Sequence, residues 1–292
     1  MASYTIKDLE RLSGIKAHTI RIWEKRYGII EPKRTSTNIR TYCDDELKKI
    51  LNVSILNKNG IKISNIASLS VNEIGDRVGE ILENQSDTDG HIESLILAMV
   101  EYDEDRFEKL LSRSIIQLGF EDTVIQVLYP FFVRIGVMWQ TNSINVAQEH
   151  FISNLVRQKL IVAIDSQIPE KNDDSKKAVL FLPEGELHEL GLLFYAYILK
   201  KRGHKLIYLG QSVPLVDVRS VLHETVIDFV VTSVVINSDF DVRLDYLKTV
   251  LDNLNDKPLF ISGYHAEEFT SKLEGVQDAS SPKEFIRLLE AI

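Results

Sequence analysis

The residues best suited to chemistry in this sequence form two short clusters. The first is Glu186-Leu187-His188-Glu189-Leu190-Gly191, an E-x-H-x-x-G segment in which an imidazole stands two residues after a carboxylate. Imidazole titrates near neutral pH and is the commonest protein ligand for metals. The second cluster is Gly136-x-x-Trp139 followed, after nine residues, by Glu149-His150. A large rigid aromatic excludes water, and a carboxylate accepts hydrogen bonds from hydroxyls such as those of ribose. By residue type alone, His188 suits a helix cap or a surface position just as well, and Trp139, Glu149 and His150 suit core and capping positions.

Other chemistries are excluded. Cys43 is the only cysteine among 292 residues, so no internal disulfide and no cysteine-rich zinc or iron–sulfur site is expected. No G-x-G-x-x-G follows the first strand of the C-terminal region, and no G-x-x-x-x-G-K-[ST] loop occurs. No catalytic constellation accompanies the two clusters, and an enzyme is not expected. The chain contains no run of eighteen apolar residues, and Met1 is followed by polar Ser3, Tyr4 and Thr5. Neither a membrane span nor a signal peptide is expected, which implies a cytoplasmic protein.

The elements that must position these clusters fall into three modules, 1–84, 85–171 and 172–292. In the last, Ala178–Leu182, Lys205–Leu209, Phe229–Val235, Pro258–Ser262 and Gly275–Gln277 read as strands separated by helices, Leu190–Arg202 being the clearest. This is a five-stranded, Rossmann-like doubly wound parallel sheet, whose ligands bind outside the carboxyl ends of the strands. The E-x-H-x-x-G segment directly follows the first strand. The middle module reads as a four-helix bundle of His91–Glu101, Asp103–Leu118, Glu121–Met138 and Asn145–Ile168. Polar Gln85–Gly90 reads as a linker before it, and Asn172–Lys176 as one after it.

Charge separates the first module from the rest. Residues 1–62 hold 13 Lys and Arg against 7 Asp and Glu, while the remainder holds 21 against 36. A basic footprint confined to the start of an acidic chain points to a DNA-binding module there. Thr5 is placed to cap a helix over Ile6–Ser13 that Gly14 ends, and a second helix spans Ala17 to Tyr27. Two short helices around a Gly-containing turn describe a helix-turn-helix. Ile29 to Tyr42 then suits a two-stranded wing, and Asp44 or Asp45 starts a helix toward Asn59.

Tyr4-Thr5-Ile6, Ser13-Gly14-Ile15, the run Thr19 to Gly28, Pro32-x-Arg34 and Arg40-x-Tyr42 resemble the MerR family signature, so the fold expected here is a winged helix-turn-helix. Trp23 and Arg26-Tyr27-Gly28 are similar to its branch of light-responsive repressors, the CarH, CarA and LitR type. The resemblance implies that Thr19 and Arg21 approach the major groove of double-stranded operator DNA while Arg34, Arg40 and Tyr42 hold phosphates. Asn38-Ile39 stands where many members have a wing-tip glycine.

The two chemical clusters extend the resemblance over nearly the whole chain. Trp-x9-Glu-His resembles the helical cap over the upper face of adenosylcobalamin in CarH-like photoreceptors, which implies that Trp139, Glu149 and His150 contact the adenosyl group. E-x-H-x-x-G, Ser233-x-Val235 and Ser262-Gly263 are similar to motifs of cobalamin-binding domains. They imply that His188 ligates cobalt from below, that Glu186 orients the imidazole, and that Gly191, Ser233 and Gly263 border the displaced nucleotide tail. Ser262 stands where the first glycine of a pair is usual. In CarH-like proteins a histidine after the Trp captures cobalt after illumination, and here that residue is Gln140.

The expectation is therefore a ligand-gated repressor, holding adenosylcobalamin with its cobalt and acting as a homo-oligomer, dimer or tetramer. Two alternatives are a repressor whose sensor fold has lost cobalamin, and a corrinoid methyl carrier with an appended DNA-binding domain.

Overall fold

The computed structural model describes residues 4–34, 40–84, 88–140, 144–168, 174–235, 240–263 and 266–291. The chain divides into two compact units, Met1–Leu155 and Val156–Ile292.

In the first unit, α1 (Ile6–Ser13) begins with a capping box in which Thr5 Oγ1 accepts from the Asp8 N–H at 3.3 Å and Asp8 Oδ2 accepts from the Thr5 N–H at 2.7 Å. Gly14 ends it at φ 72°, where a side chain would be strained. After α2 (Ala17–Tyr27), strands β1 (Lys33–Arg34) and β2 (Arg40–Thr41) pair antiparallel as the wing. Tyr4 and Tyr42 exchange backbone hydrogen bonds at 2.8 and 2.9 Å, which fastens the start of the module to the end of the wing. Helix α3 (Asp44–Lys58) packs against α1 over a core that includes Leu9, Leu12, Ile20, Leu47 and Leu51. The wing-tip residues Asn38 and Ile39 lie outside the described residues.

Helices α4 (Ile63–Ile66), α5 (Val71–Asn84), α6 (Thr88–Glu101), α7 (Glu104–Leu118), α8 (Phe120–Thr123) and α9 (Tyr129–Gln140) follow. Two sequence expectations change. The segment read as a linker over 85–90 is already helical from Thr88 in its described part, because Thr88-Asp89-Gly90 form the first turn of α6. The helix expected over Glu121–Met138 is interrupted by a wide π turn at Val124–Leu128, where the Tyr129 N–H bonds the Val124 carbonyl five residues back. Pro130 supplies the reason, since it has no N–H for the carbonyl four residues earlier and its ring crowds that position. Phe107, Leu111, Val127, Phe131, Met138 and Ile152 fill the interior of this helical region.

Helix α10 (Val146–Asp165) runs across the division of the chain. In the second unit, β3 (Lys177–Pro183), α11 (Leu190–Lys201), β4 (Lys205–Val213), α12 (Leu215–Glu224), β5 (Phe229–Ser233), α13 (Phe240–Asp252), β6 (Leu259–Ser262), α14 (Ala266–Thr270), β7 (Val276–Asp278) and α15 (Pro282–Leu289) alternate. The sheet is parallel throughout in the order β4-β3-β5-β6-β7. Its central strands read as continuous apolar runs because both faces are covered. Strand order reverses at β3, so the crevice at its carboxyl end is where such a sheet takes a ligand. The expected strand Phe229–Val235 ends two residues early, at Ser233, which frees the Val235 backbone for the site.

Candidate functional site

His188 and Glu186 sit on the loop that leaves the carboxyl end of β3. Glu186 is fully buried, and its Oε1 lies 2.6 Å from His188 Nδ1. The same oxygen accepts the backbone N–H groups of Leu187 and His188 at 3.0 and 3.1 Å, and Oε2 accepts that of Val235 at 2.8 Å. Three backbone donors and an imidazole stabilise the ionised carboxylate despite its burial. An ionised Glu186 selects the tautomer protonated on Nδ1, whose lone pair is on Nε2. The His188 side chain is 54% exposed. Loop and strand end are tied further by Ser212, whose N–H bonds the Glu186 carbonyl at 3.1 Å and whose Oγ accepts from the Gly185 N–H at 3.0 Å. Ser212 takes φ 50° to do so, at the end of a stretch where the β3–β4 register shifts twice.

Among the described residues no three His, Cys, Asp or Glu side chains converge on a metal position. A single exposed imidazole with its tautomer held by a carboxylate suits one axial position on an ion that a macrocycle already holds. The donor set therefore fits a corrinoid.

Gly191 opens α11, and a Cβ built there meets nothing within 4 Å. Ser233 is buried at the end of β5, opposite Ser262 of β6. Ser262 turns its hydroxyl into the sheet, donating to the Thr232 carbonyl at 3.3 Å. Gly263 has a demand of its own. At φ 102° a Cβ would stand 2.2 Å from the Val234 carbonyl oxygen, so this glycine is required by the neighbouring strand end.

In the first unit, Trp139 lies in the last turn of α9, and its side chain is 46% exposed. Glu149 and His150 lie in the first turns of α10, with Glu149 Oε2 2.8 Å from His150 Nδ1. The cap of α10 is provided by neither. Asn145 and Gln148 exchange side-chain and backbone bonds at 2.8 and 3.1 Å, leaving Glu149 and His150 out of the capping role that their position also suited.

On the N-terminal module, Arg21 and Arg34 are exposed and Thr19 is half-buried. Tyr42 is buried, and its hydroxyl donates to Glu24 Oε2 at 3.3 Å, while Arg40 Nε lies 3.2 Å from Glu24 Oε1. Burial, followed by the Glu24 charge and hydrogen bond, pushes the Tyr42 phenol up to about 12, so it remains a donor. Glu24 thus joins the second helix to the wing, a role the sequence reading missed. Exposed Ile22, beside Arg21, also escaped that reading.

Residues 4–70 match the family described as MerR HTH family regulatory protein, and residues 91–163 match the B12 binding domain family. The chain thus joins a MerR-type helix-turn-helix, which implies DNA binding, to a B12-binding domain. The chain is similar to the HTH-type transcriptional repressor CarH of Myxococcus xanthus, with 28% identity over 281 residues that cover 93% of this chain and 92% of the relative. It is likewise similar to the repressor CarA of the same organism, at 25% identity over 97% of this chain and 95% of that one. The monomethylamine corrinoid protein of Methanosarcina barkeri shares the fold, with a TM-score of 0.56 and 15% identity over 70% of this chain and all of that one. No helix among the described residues is long and apolar enough to cross a membrane.

Proposed function

We propose that this protein is a cytoplasmic repressor that binds double-stranded operator DNA as a homo-oligomer, is stabilised in that state by adenosylcobalamin, and is released by light. Its working parts are a DNA-binding domain over 1–84, a helical cap over 85–171 and a cobalamin-binding domain over 172–292. The observation that carries this reading is the Glu186 carboxylate at His188 Nδ1, an arrangement made for a single axial imidazole. His188 would hold the cobalt through its imidazole, and Gly191, Ser233 and Gly263 would border the rest of the cofactor. Trp139, Glu149 and His150 contact the upper ligand, Trp139 by excluding water and Glu149 by accepting from ribose hydroxyls. The cofactor supplies a cobalt–carbon bond that light cleaves. A ligand that binds the DNA-competent state more tightly shifts the population toward it, and loss of the adenosyl contacts removes that preference.

Purification with adenosylcobalamin in the dark tests this directly. The expected product carries the cofactor, shifts operator DNA, and loses the shift on illumination. Protein that takes up no cofactor, or binds operator equally with and without it, overturns the reading. Gln140 sharpens the test, since an amide is a poor substitute for imidazole as a transition-metal ligand. Illuminated wild type is expected to lack a two-imidazole spectrum that Gln140→His acquires. A stable two-imidazole spectrum in wild type removes that expectation.

For DNA, Thr19 and Arg21 are proposed at the major groove and Arg34 at phosphate. Arg40 is proposed at phosphate from its place beside Glu24, to which the Tyr42 hydroxyl also donates. Arg40→Ala is expected to weaken operator binding and to lower the salt slope by about one unit, without changing cobalamin uptake. An unchanged affinity and slope rejects this residue.

A further inference from the structure

Glu189 is the second carboxylate of the His188 loop, and the function proposed above does not use it. It occupies the N-cap of α11, where a carboxylate ordinarily accepts the free N–H groups of the first turn. Its side chain makes no such bond, and its backbone carbonyl serves the helix by accepting from the Leu193 N–H at 2.8 Å. The carboxylate instead turns sideways into the protein, where 7% of the side chain is exposed. There Oε1 meets Nε of Arg157, from the second-unit part of α10, and Oε2 accepts from the Tyr208 hydroxyl of β4 at 3.2 Å.

The pairing is strong enough to alter both partners. Burial and then the Glu189 charge push the Tyr208 phenol far above its ordinary value, so it stays a donor. The hydrogen bond to Glu189, then its charge, holds the Arg157 guanidinium above its own. The same stretch of β4 grips the loop elsewhere, through Gln211 Nε2 donating to the Leu187 carbonyl at 2.6 Å and through Ser212. His188 is therefore flanked by one buried carboxylate that holds its ring and another that holds the peptide after it.

We propose that Glu189 is a positioning residue for His188: clamped by Tyr208 and Arg157, it fixes the backbone that follows the imidazole and so the direction in which the ring meets cobalt. The inference rests on His188 being the axial ligand. A carboxylate needed only to start α11 would bond the helix N–H groups, and this one does not. Residues that orient a metal ligand typically change affinity by about ten- to a hundredfold when removed.

The test is titration with cobinamide, a corrinoid without a nucleotide base, so that nitrogen ligation in its visible spectrum comes from the protein. Wild type, Glu189→Ala, Glu189→Gln and Tyr208→Phe are compared with His188→Ala, and thermal unfolding of each apo-protein is recorded alongside. Wild type is expected to show nitrogen ligation. Glu189→Ala is expected to bind at least about tenfold more weakly, with the spectrum of its bound corrinoid moved toward that of His188→Ala. Glu189→Gln, which keeps an acceptor for Tyr208, is expected to recover part of both. Should Glu189→Ala fail to fold, Tyr208→Phe removes one hydroxyl at constant shape and reads the same displacement. Variants whose bound corrinoid keeps the wild-type spectrum, with affinity falling only as thermal stability falls, overturn the inference alone. A wild type without nitrogen ligation overturns the His188 reading and this inference with it.

Discussion

His188→Ala is expected to lower cobalamin affinity by at least about a hundredfold, because it deletes the ligand itself where loss of an orienting partner already costs up to that much. The substitution leaves the Glu186 carboxylate buried with its three backbone donors, from Leu187, His188 and Val235, so the loop keeps most of its hydrogen bonds. Fold loss is thus not the expected cause of the defect. The helix-turn-helix retains its own core of Leu9, Leu12, Ile20 and Leu47, and far-ultraviolet circular dichroism should stay close to wild type. Any cobalamin still bound should keep its own base on the metal, which the visible spectrum distinguishes. Equal affinity in mutant and wild type would remove His188 as lower ligand.

Gly263→Ala should be the most damaging one-atom change in the second unit. Its Cβ would stand 2.2 Å from the carbonyl oxygen of Val234, 2.7 Å from the carbonyl carbon and 3.0 Å from the nitrogen. All three are backbone atoms, so no side-chain rotation relieves the overlap. The φ of 102° adds strain of about 1–3 kcal/mol by itself. Relief requires β5 and β6 to part where the Val234 N–H bonds the Ser262 carbonyl at 2.9 Å. The next residue, Val235, supplies the N–H that Glu186 accepts, so the strain reaches the His188 loop. A loss of about 3 kcal/mol or more is expected in denaturant unfolding, together with weaker cobalamin binding. A loss below about 1 kcal/mol, within the usual range for a tolerated substitution, would show that the strand ends can yield.

Much of the fold was legible because local rules specify it. Thr5 three residues before Asp8, and glycines at 14 and 28, bound α1 and α2 where the structure has them, since cap geometry depends on a few consecutive residues. The central strands β3, β5 and β6 were visible as apolar runs because a parallel sheet covered on both faces leaves no polar alternation there. The candidate ligand loop was visible too, as residue types placed just after the first of those runs.

What tertiary structure alone decided are relations between residues distant in sequence. Tyr42 lies in the wing like a phosphate-binding residue, yet the fold buries it against Glu24, 18 positions away. Glu189 has the sequence position of a helix cap, and only the arrival of Tyr208 and Arg157 draws it sideways. Gly263 read as a glycine beside a ligand, and the fold adds a second demand on it, because the Val234 backbone just past β5 leaves no room for a side chain there. The physical reason is common to all three. Residue type sets what a group can bond and nearby residues set the backbone it sits on, but which partner reaches it depends on which strand ends and helices the packed sheet and core bring beside it.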